Sequence, residues 1–313
     1  MFNVKVLSAL LLAGATLSAS PAFADDAKTY NVFVQNNFSS SSSDTQGRIA
    51  AGGNVTLSGY SVGSGLNSSS NGTNTLVVGG TLNFTNGSVA YGNILAGSVA
   101  KAPTVNHGTV TIGGVDLSSE YARMVTISND LAGMASNGTT VAQYGGLTLT
   151  GTSNTLNIFT INASALSNSG YLNMTIPTAS SALINVIGSS ANWKGGLSID
   201  GSPNLSYADN IIWNFTDATS LSMSNIGVIG TVLAPLADVT FNNGQLNGTL
   251  VAKSSSGSGE FHNYSYSGTL LDGHYNTGVI ATPEPATWAM SILGFGLAGG
   301  VLRRRRRMAA LAA

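Results

Sequence analysis

Short apolar runs, each long enough for one β-strand, recur along this chain between polar stretches. Clear examples are residues 156–161, 211–215 and 227–233, in which apolar side chains are interrupted only by Gly, Thr or Asn. Gly-Gly, Asn-Gly and Ser-Gly pairs lie between such runs, and these pairs favour tight turns. Strand-length runs bounded by turn residues predict an all-β fold built from many short strands.

A small theme repeats within this pattern, namely an apolar run, a glycine pair and a second strand. It occurs as A-A-G-G-N-V-T-L at 50–57, V-V-G-G-T-L-N-F at 77–84, Y-G-G-L-T-L-T at 144–150, T-I-G-G-V-D-L at 111–117 and K-G-G-L-S-I-D at 194–200. Strand–turn units that recur at about twenty residues favour a β-solenoid, whose stacked coils share one core. A Greek-key β-sandwich remains the alternative, because the spacing is irregular.

One segment, residues 117–134, has helical rather than strand periodicity. Its apolar residues, spaced mostly three to four apart, are Leu117, Tyr121, Met124, Val125, Leu131 and Met134. Asp116 or Ser118 can cap the start, Glu120 falls in the first turn, and Gly138 follows the end. We predict one long α-helix here, with its apolar side packed against the flank of the β-coil.

The N-terminus has the three parts of a secretory signal peptide. Lys5 supplies the positive charge, residues 6–17 form an apolar core, and Ala22-Phe23-Ala24 is an A-x-A cleavage site. We therefore predict a signal peptide over residues 1–24, with cleavage after Ala24. A retained N-terminal helix is the alternative, but the core is short for it.

The C-terminus carries a Pro-Glu-Pro triplet, an apolar run and a basic end. The triplet is Pro283, Glu284 and Pro285, and the apolar run covers residues 286–302. Seventeen apolar residues (286 to 302) are at the short end of what spans a bilayer as a helix. The basic end consists of Arg303, Arg304, Arg305, Arg306 and Arg307. Because arginines resist translocation, they predict a cytoplasmic end and at least transient membrane insertion.

These three parts together resemble the PEP-CTERM sorting signal, which an integral-membrane exosortase recognises and processes. The resemblance implies that exosortase is a partner. It also implies export through the inner membrane, and then a place at the cell surface or in the extracellular matrix. We assign residues 282–313 to this segment and 25–281 to the body. An ordinary C-terminal anchor that stays in place is the alternative reading.

The charge of the body differs from that of the whole chain. The full sequence has a formal net charge of −1, but six Lys and Arg oppose twelve Asp and Glu in residues 25–281, which gives −6. An acidic body with few bases predicts no nucleic-acid partner. The chain has no cysteine, so disulfides and thiolate chemistry are excluded.

The body is similar to the bacterial "choice-of-anchor A" domain over most of its length. The segments that carry the resemblance are Y-N-V-F-V-Q-N-N-F at 30–38, D-T-Q-G-R-I-A-A-G-G-N-V-T-L at 44–57, L-V-V-G-G-T-L-N-F at 76–84, I-I-W-N-F-T-D-A-T at 211–219, G-T-V-L-A-P-L-A-D-V-T at 230–240, L-N-G-T-L-V-A-K-S at 246–254 and G-E-F-H-N-Y at 259–264. The resemblance to that family implies that the body is an adhesin module. The C-terminal part of the body also resembles that of bacterial ice-binding proteins. This second resemblance implies a discontinuous right-handed β-helix with one long helix alongside.

Catalytic and metal-binding groups are sparse in the body. His107, His262 and His274 have no zinc-site spacing, and no nucleophile elbow or calcium loop is present. The acid–base combinations that remain are Asp44 with Arg48, Asp238 with Lys253, and Glu260 with His262, which we interpret as surface ion pairs or turn residues. The sequence therefore predicts no catalytic site, metal site or cofactor.

A polar outer surface is the remaining candidate for function. Rows of Thr, Ser and Asn suit a hydroxyl-rich ligand, and the tyrosines that could stack on sugars are Tyr60, Tyr91, Tyr144, Tyr264 and Tyr266. We predict an adhesin or matrix protein that interacts with exopolysaccharide. The alternatives are an ice-binding protein, disfavoured because T-x-T occurs only at 109–111 and 148–150 among the strand candidates, and a polysaccharide-active enzyme on a β-helix.

Overall fold

The computed structural model describes residues 26–273, which form 23 strands, two α-helices and four short 3-10 helices. The first nine strands are β1 Val32–Val34, β2 Phe38–Thr45, β3 Ile49–Ala51, β4 Val55–Val62, β5 Asn74–Thr85, β6 Ser88–Val89, β7 Asn93–Lys101, β8 Thr104–Val105 and β9 Val110–Ile112. Helix α1, Ser118–Ala132, follows them.

The second part of the chain continues with strands and one short helix. These are β10 Thr139–Gln143, β11 Gly146–Thr150, β12 Leu156–Asn162, α2 Ala163–Asn168, β13 Tyr171–Thr175, β14 Ser181–Ile187, β15 Ser190–Lys194 and β16 Gly196–Ile199. The last strands are β17 Ile211–Asn214, β18 Ser220–Ser224, β19 Gly227–Ile229, β20 Thr231–Asn242, β21 Gln245–Asn247, β22 Leu250–Gly257 and β23 Glu260–His262. The 3-10 helices are Ala27–Thr29, Ser68–Ser70, Leu205–Tyr207 and Leu270–Asp272.

Most strands pair in parallel with the strand one coil away, so the chain winds into a helix-like stack. Ile94 is in register with Val110, 16 residues on, whereas Ala182 is in register with Ile211, 29 residues on. Loops of different length between the strands account for this range, which is why the repeat in the sequence is irregular. The parallel pairing also excludes the antiparallel sandwich for this part of the chain.

The stack does not follow chain order. Along one face, which we call the helix face, the order is β9, β7, β5, β3, β1, β22, β20, β17, β14 and β12. Strand β1 therefore starts in the middle and its successors run to one end. The later strands start at the other end and return to meet β1 through Val32 and Leu250.

Two further faces complete each coil. The ladder face consists of β15, β18, β20, β22, β2, β4, β5 and β7, and the third face of β19, β21, β23, β2, β4, β6 and β8. Long strands such as β2 and β4 turn from one face onto the next. A small separate sheet contains β10, β11, β13 and β16, of which only β10 is antiparallel to its neighbour.

The core lies inside the coil, where the inward residues of successive strands stack. Trp193 and Trp213 are fully buried there, with ring centroids 4.6 Å apart, and Phe38, Phe241 and Phe261 form a second aromatic group. Each buried aromatic or aliphatic side chain contributes about 1.5–3 kcal/mol of burial free energy. A chain without disulfides is therefore stabilised by this core and by its strand ladders.

Glycine pairs form one corner of the coil, between the helix face and the ladder face. A Cβ on Gly79 would lie 2.2 Å from the carbonyl oxygen of Gly52, and one on Gly80 would lie 2.3 Å from Oδ1 of Asn54. The close approach of consecutive coils therefore requires glycine at these positions. Two of the five repeated glycine pairs, 52–53 and 79–80, occupy this corner.

Helix α1 packs on the helix face, against β14, β17 and β20. The Nδ2 of Asn214 donates to Oδ1 of Asn185 at 2.8 Å and to the carbonyl oxygen of Ser128 at 2.9 Å, and Nδ2 of Asn185 donates to the carbonyl oxygen of Leu131 at 2.8 Å. The N-terminal cap of α1 differs from the prediction, which placed Asp116 or Ser118 there. Leu117 is the residue at the cap position, and the carboxylate of Asp116 accepts from the backbone N–H of Ser118.

The two ends of the described chain meet beside α1. Arg123 donates to the carboxylates of Glu120 and Asp26 and to the carbonyl oxygen of Leu271, at 2.7–2.9 Å. Lys28 pairs with Asp272 as well. One arginine on the helix therefore connects the first and last residues of the described chain.

Several predictions fall on residues that the structure does not describe. The signal peptide over residues 1–24, the cleavage after Ala24, and the triplet, apolar run and arginines within 282–313 all lie outside residues 26–273. Within residues 26–273, no helix is long and apolar enough to cross a bilayer.

Candidate ligand-binding face

The outward side of the ladder face carries one short polar side chain on each of the strands β15, β18, β20, β22, β2, β4 and β5, whereas on β7 the register partner of Asn83 is the charged Lys101. Alternation along a strand places every second residue outside, so triplets with a buried central residue, such as Ser39-Ser40-Ser41, Thr56-Leu57-Ser58 and Asn83-Phe84-Thr85, direct their polar outer members outward. The central member points into the core, and Leu57 and Phe84 are fully buried.

Parallel register aligns these side chains across the coils. We call the resulting row the polar ladder; in spatial order it consists of Asn192, Ser222, Thr240, Ser256, Ser39, Thr56 and Asn83. All are exposed except Ser222, which is half-buried. Neighbouring strands lie about 4.8 Å apart, so the ladder offers one polar group at each such step.

A second row runs beside the ladder, two residues further along each strand. It contains Lys194, Ser224 and Asn242 in one register group and Ser41, Ser58 and Thr85 in another. Of these, only Lys194 is charged. These two rows are therefore largely uncharged and rich in groups that both donate and accept hydrogen bonds.

Asparagine side chains fix the spacing at the start of the ladder strands. Oδ1 of Asn37 accepts from the backbone N–H of Asn54, and Oδ1 of Asn54 accepts from that of Thr81, both at 2.8 Å. The hydroxyls of Thr81 and Ser98 are 2.8 Å apart. The coils of β2, β4, β5 and β7 are thus hydrogen-bonded to one another through side chains as well as backbone, which holds this part of the ladder in a fixed geometry before any ligand binds.

One ion pair borders the ladder on β20 and β22. Nζ of Lys253 lies 2.9 Å from Oδ2 of Asp238, whose Oδ1 accepts from the hydroxyl of Ser254 at 2.6 Å. These hydrogen bonds, first that from Ser254, lower the pKa of the Asp238 carboxyl. The structure confirms the predicted pairing of Asp238 with Lys253. The pair is exposed, so its contribution to stability is small.

Two of the five tyrosines proposed for sugar stacking are in the core. Tyr60 is 2% exposed and its hydroxyl lies 2.7 Å from that of Thr45; Tyr266 is 4% exposed. That part of the prediction was wrong, because Tyr60 points inward from β4 and Tyr266 is buried on the loop after β23. Tyr91 stacks on His107 with ring centroids 4.7 Å apart, Tyr264 is half-buried against the core, and Tyr144 is exposed.

The third face gathers the other predicted acid and base residues. Thr45 is in register with Phe261, which places Asp44 beside Glu260 on adjacent strands. Nε2 of His262 is 3.4 Å from Oε2 of Glu260, and its Nδ1 is 2.8 Å from Oδ1 of Asn247. An open groove of about 460 Å³ adjoins Glu260 and is lined mainly by Asn225, Asn243, Gly244 and Gln245.

Asp44 and Arg48, the remaining predicted pair, each contact other residues. Asp44 accepts a hydrogen bond from the hydroxyl of Ser64 at 2.9 Å. The guanidinium of Arg48 lies over the Tyr30 ring, 4.5 Å from its centroid, and donates to the carbonyl oxygen of Asn74. His107 lies on the loop between β8 and β9. Across residues 26–273, no group of three His, Asp or Glu side chains is placed to hold a metal ion.

The sequence of the body matches a known family along most of its length. Residues 23–263 match the family described as "Putative Ice-binding-like adhesive domain". The chain belongs to this ice-binding-like adhesive domain family. Residues 281–307 match the PEP-CTERM protein-sorting motif, so the predicted resemblance of the C-terminus is confirmed. The motif indicates export and exosortase-mediated sorting to the cell surface or extracellular space.

Two further comparisons accompany this assignment. No curated protein matches the chain. The crystal structure of an ice-binding protein from the Antarctic ascomycete Antarctomyces psychrotrophicus matches with a TM-score of 0.41 and 12% identity, over 77% of this chain and 96% of that chain.

Proposed function

We propose that this ice-binding-like adhesive domain protein is an adhesin or structural component of an extracellular matrix. In this proposal the polar ladder binds exopolysaccharide, and exosortase processes the C-terminus after transient insertion of residues 286–302 in the membrane. We also propose the finer description of the fold, a discontinuous right-handed β-helix with one long helix alongside.

The polar ladder is the observation that carries this proposal. It is uncharged along its row, continues over seven adjacent strands, and is fixed by asparagine hydrogen bonds at β4 and β5. A polymer of neutral sugars presents hydroxyls at regular intervals and can meet such a row at several points together. Many weak contacts in one geometry give useful avidity without a deep pocket.

A panel of immobilised polysaccharides tests the binding step. Protein exported by cells that carry the full chain is passed over cellulose, chitin, dextran and the matrix polysaccharide of those cells. We expect retention on at least one of them. A protein that passes through all four without retention would contradict the adhesin proposal.

A separate measurement tests sorting. Cells that produce the chain without residues 281–307 should place the protein differently from cells with the full chain, while the body keeps its circular dichroism spectrum. Equal surface exposure of both forms would contradict the sorting step.

Ice binding is the second candidate, and the ladder also favours it. The sequence disfavoured ice binding because T-x-T repeats along single strands are rare. In this fold, however, the regular row of polar side chains runs across strands. A row of hydroxyls and amides in regular register suits a crystalline lattice as well as a polymer. Inhibition of ice recrystallisation, without retention on polysaccharide, would favour this second candidate over the first.

The prediction that the protein is not an enzyme stays a prediction. Asp44, Glu260 and His262, with the adjoining groove, are the place where hydrolysis or elimination on a polysaccharide would occur. Release of reducing sugar that disappears in Glu260→Gln would favour the enzyme instead.

A further inference from the structure

An unusual tyrosine forms the tip of the β10–β11 hairpin. Gln143 and Gly146 are register partners, so the turn between them has only two residues, Tyr144 and Gly145. Both have positive φ, +50° and +73°, as a type I′ turn requires. Asn-Gly is the favoured pair in such a turn, and a bulky side chain with positive φ is uncommon and strained.

Burial does not explain this residue. Tyr144 is 92% exposed, whereas aromatic side chains normally gain stability by leaving water. The tip therefore has a residue that neither the turn nor the core favours. Strain of this kind at an exposed position points to a role in binding.

A small pocket adjoins the tyrosine. It has a volume of about 330 Å³, and Gln143, Tyr144, Ala165, Asn168 and Ser169 contribute to its lining. The amides of Gln143 and Asn168 supply both donors and acceptors, whereas the hydroxyl of Ser169 donates to the carbonyl oxygen of Leu166 at 3.0 Å. The Tyr171 ring, 41% exposed, lies over Gly146 at the base of the same turn, where a Cβ would be 2.0 Å from its Cζ.

We infer that this pocket is a sugar-binding subsite that takes one neutral pyranose unit of a polysaccharide. A rigid ring beside a few amide and hydroxyl groups is suited to such a ligand, because the ring covers the C–H side of the sugar and the polar groups bind its hydroxyls. The subsite rests on the proposed function, and it adds a second contact on a sheet separate from the ladder face.

Replacement of Tyr144 by asparagine separates binding from folding. Asparagine suits the positive φ, so Tyr144→Asn should unfold at the same temperature as the wild type or higher, while it removes the ring. We expect about tenfold weaker binding to whichever of the four polysaccharides retains the wild type. Tyr144→Trp, which keeps a stacking ring, should bind more tightly than Tyr144→Asn.

Two further variants complete the test. Asn168→Ala should also weaken binding, because it removes one amide of the pocket. Leu205→Asn removes an exposed apolar side chain elsewhere and should bind like the wild type.

The subsite is overturned if folded Tyr144→Asn binds each polysaccharide as tightly as the wild type does; the adhesin proposal survives that result. If the wild type binds none of the four, both fail.

Discussion

Ser39 and Ser256 are register partners on adjacent strands β2 and β22, although one lies near the start of the described chain and the other near its end. They join the ladder residues of the early coils to those of the late coils. Without this pairing the polar row would be two short fragments. The continuity of the proposed binding face therefore depends on the place where the two halves of the stack meet.

The glycine corner predicts a large effect for a very small substitution. In Gly79→Ala the new methyl group meets the carbonyl oxygen of Gly52 at 2.2 Å, so we expect a loss of about 1–3 kcal/mol in the free energy of unfolding. Gly196→Ala is the control, because no atom lies within 4 Å of its Cβ position. That variant should be neutral or gain about 0.5 kcal/mol in urea unfolding. Equal stability of both variants would contradict the packing of the corner.

The asparagine pair beneath α1 predicts a second loss of stability. Asn214→Leu deprives Oδ1 of Asn185 of its donor, and it removes the 2.6 Å acceptor of the Ser128 hydroxyl in the same buried layer. We expect a cost of about 2–3 kcal/mol in urea unfolding, since buried polar groups are left unsatisfied. Thr160, the exposed register neighbour of Asn185, is the control, and Thr160→Val should change stability by less than about 0.5 kcal/mol. A stable Asn214→Leu protein would show that the helix is held by apolar contacts alone.

Buried tyrosines predict a loss of stability in alkali. Burial raises the pKa of both Tyr60 and Tyr266 above the ordinary value of 10.0. In the unfolded chain these phenols ionise near pH 10, while the folded protein keeps them neutral. Their contribution is therefore complete below pH 10 and declines as the pH rises further.

Tyr60→Phe tests this directly. At pH 7 it should lose about 1 kcal/mol with the Thr45 hydrogen bond, and above pH 10 its stability should fall less steeply than that of the wild type. Parallel curves of melting temperature against pH would contradict this account.

The sequence was sufficient for the all-β class, for the helix near residues 117–134 and for the PEP-CTERM segment. Each has a local signal, such as strand-length runs, a helical period or a contiguous motif. The glycine pairs also indicated turns. The direct stacking of the pair at 79–80 on the pair at 52–53 could not be read from the sequence, because it depends on which coils are neighbours.

The ladder and the register of Asp44 with Glu260 required the structure. The polar triplets at 39–41, 56–58 and 83–85 are visible in the sequence, yet their alignment depends on pairing between distant strands. Tyr60 was misplaced for a related reason, since a one-residue change of register reverses inside and outside. Tyr266 lies on the loop after β23, where alternation gives no indication of its burial. Tyr144 was a candidate from the start, but its strain appears only in the backbone.

Retention of a ladder variant on polysaccharide tests the central claim most directly. Thr56→Lys together with Thr240→Lys places two long charged side chains on the ladder, whereas Thr104→Lys places one on the third face. All three positions are exposed, so both proteins should fold like the wild type. We predict that the double variant loses retention on the polysaccharide that binds the wild type and that Thr104→Lys keeps it. Full retention of the folded double variant would contradict the claim that the polar ladder is the binding face.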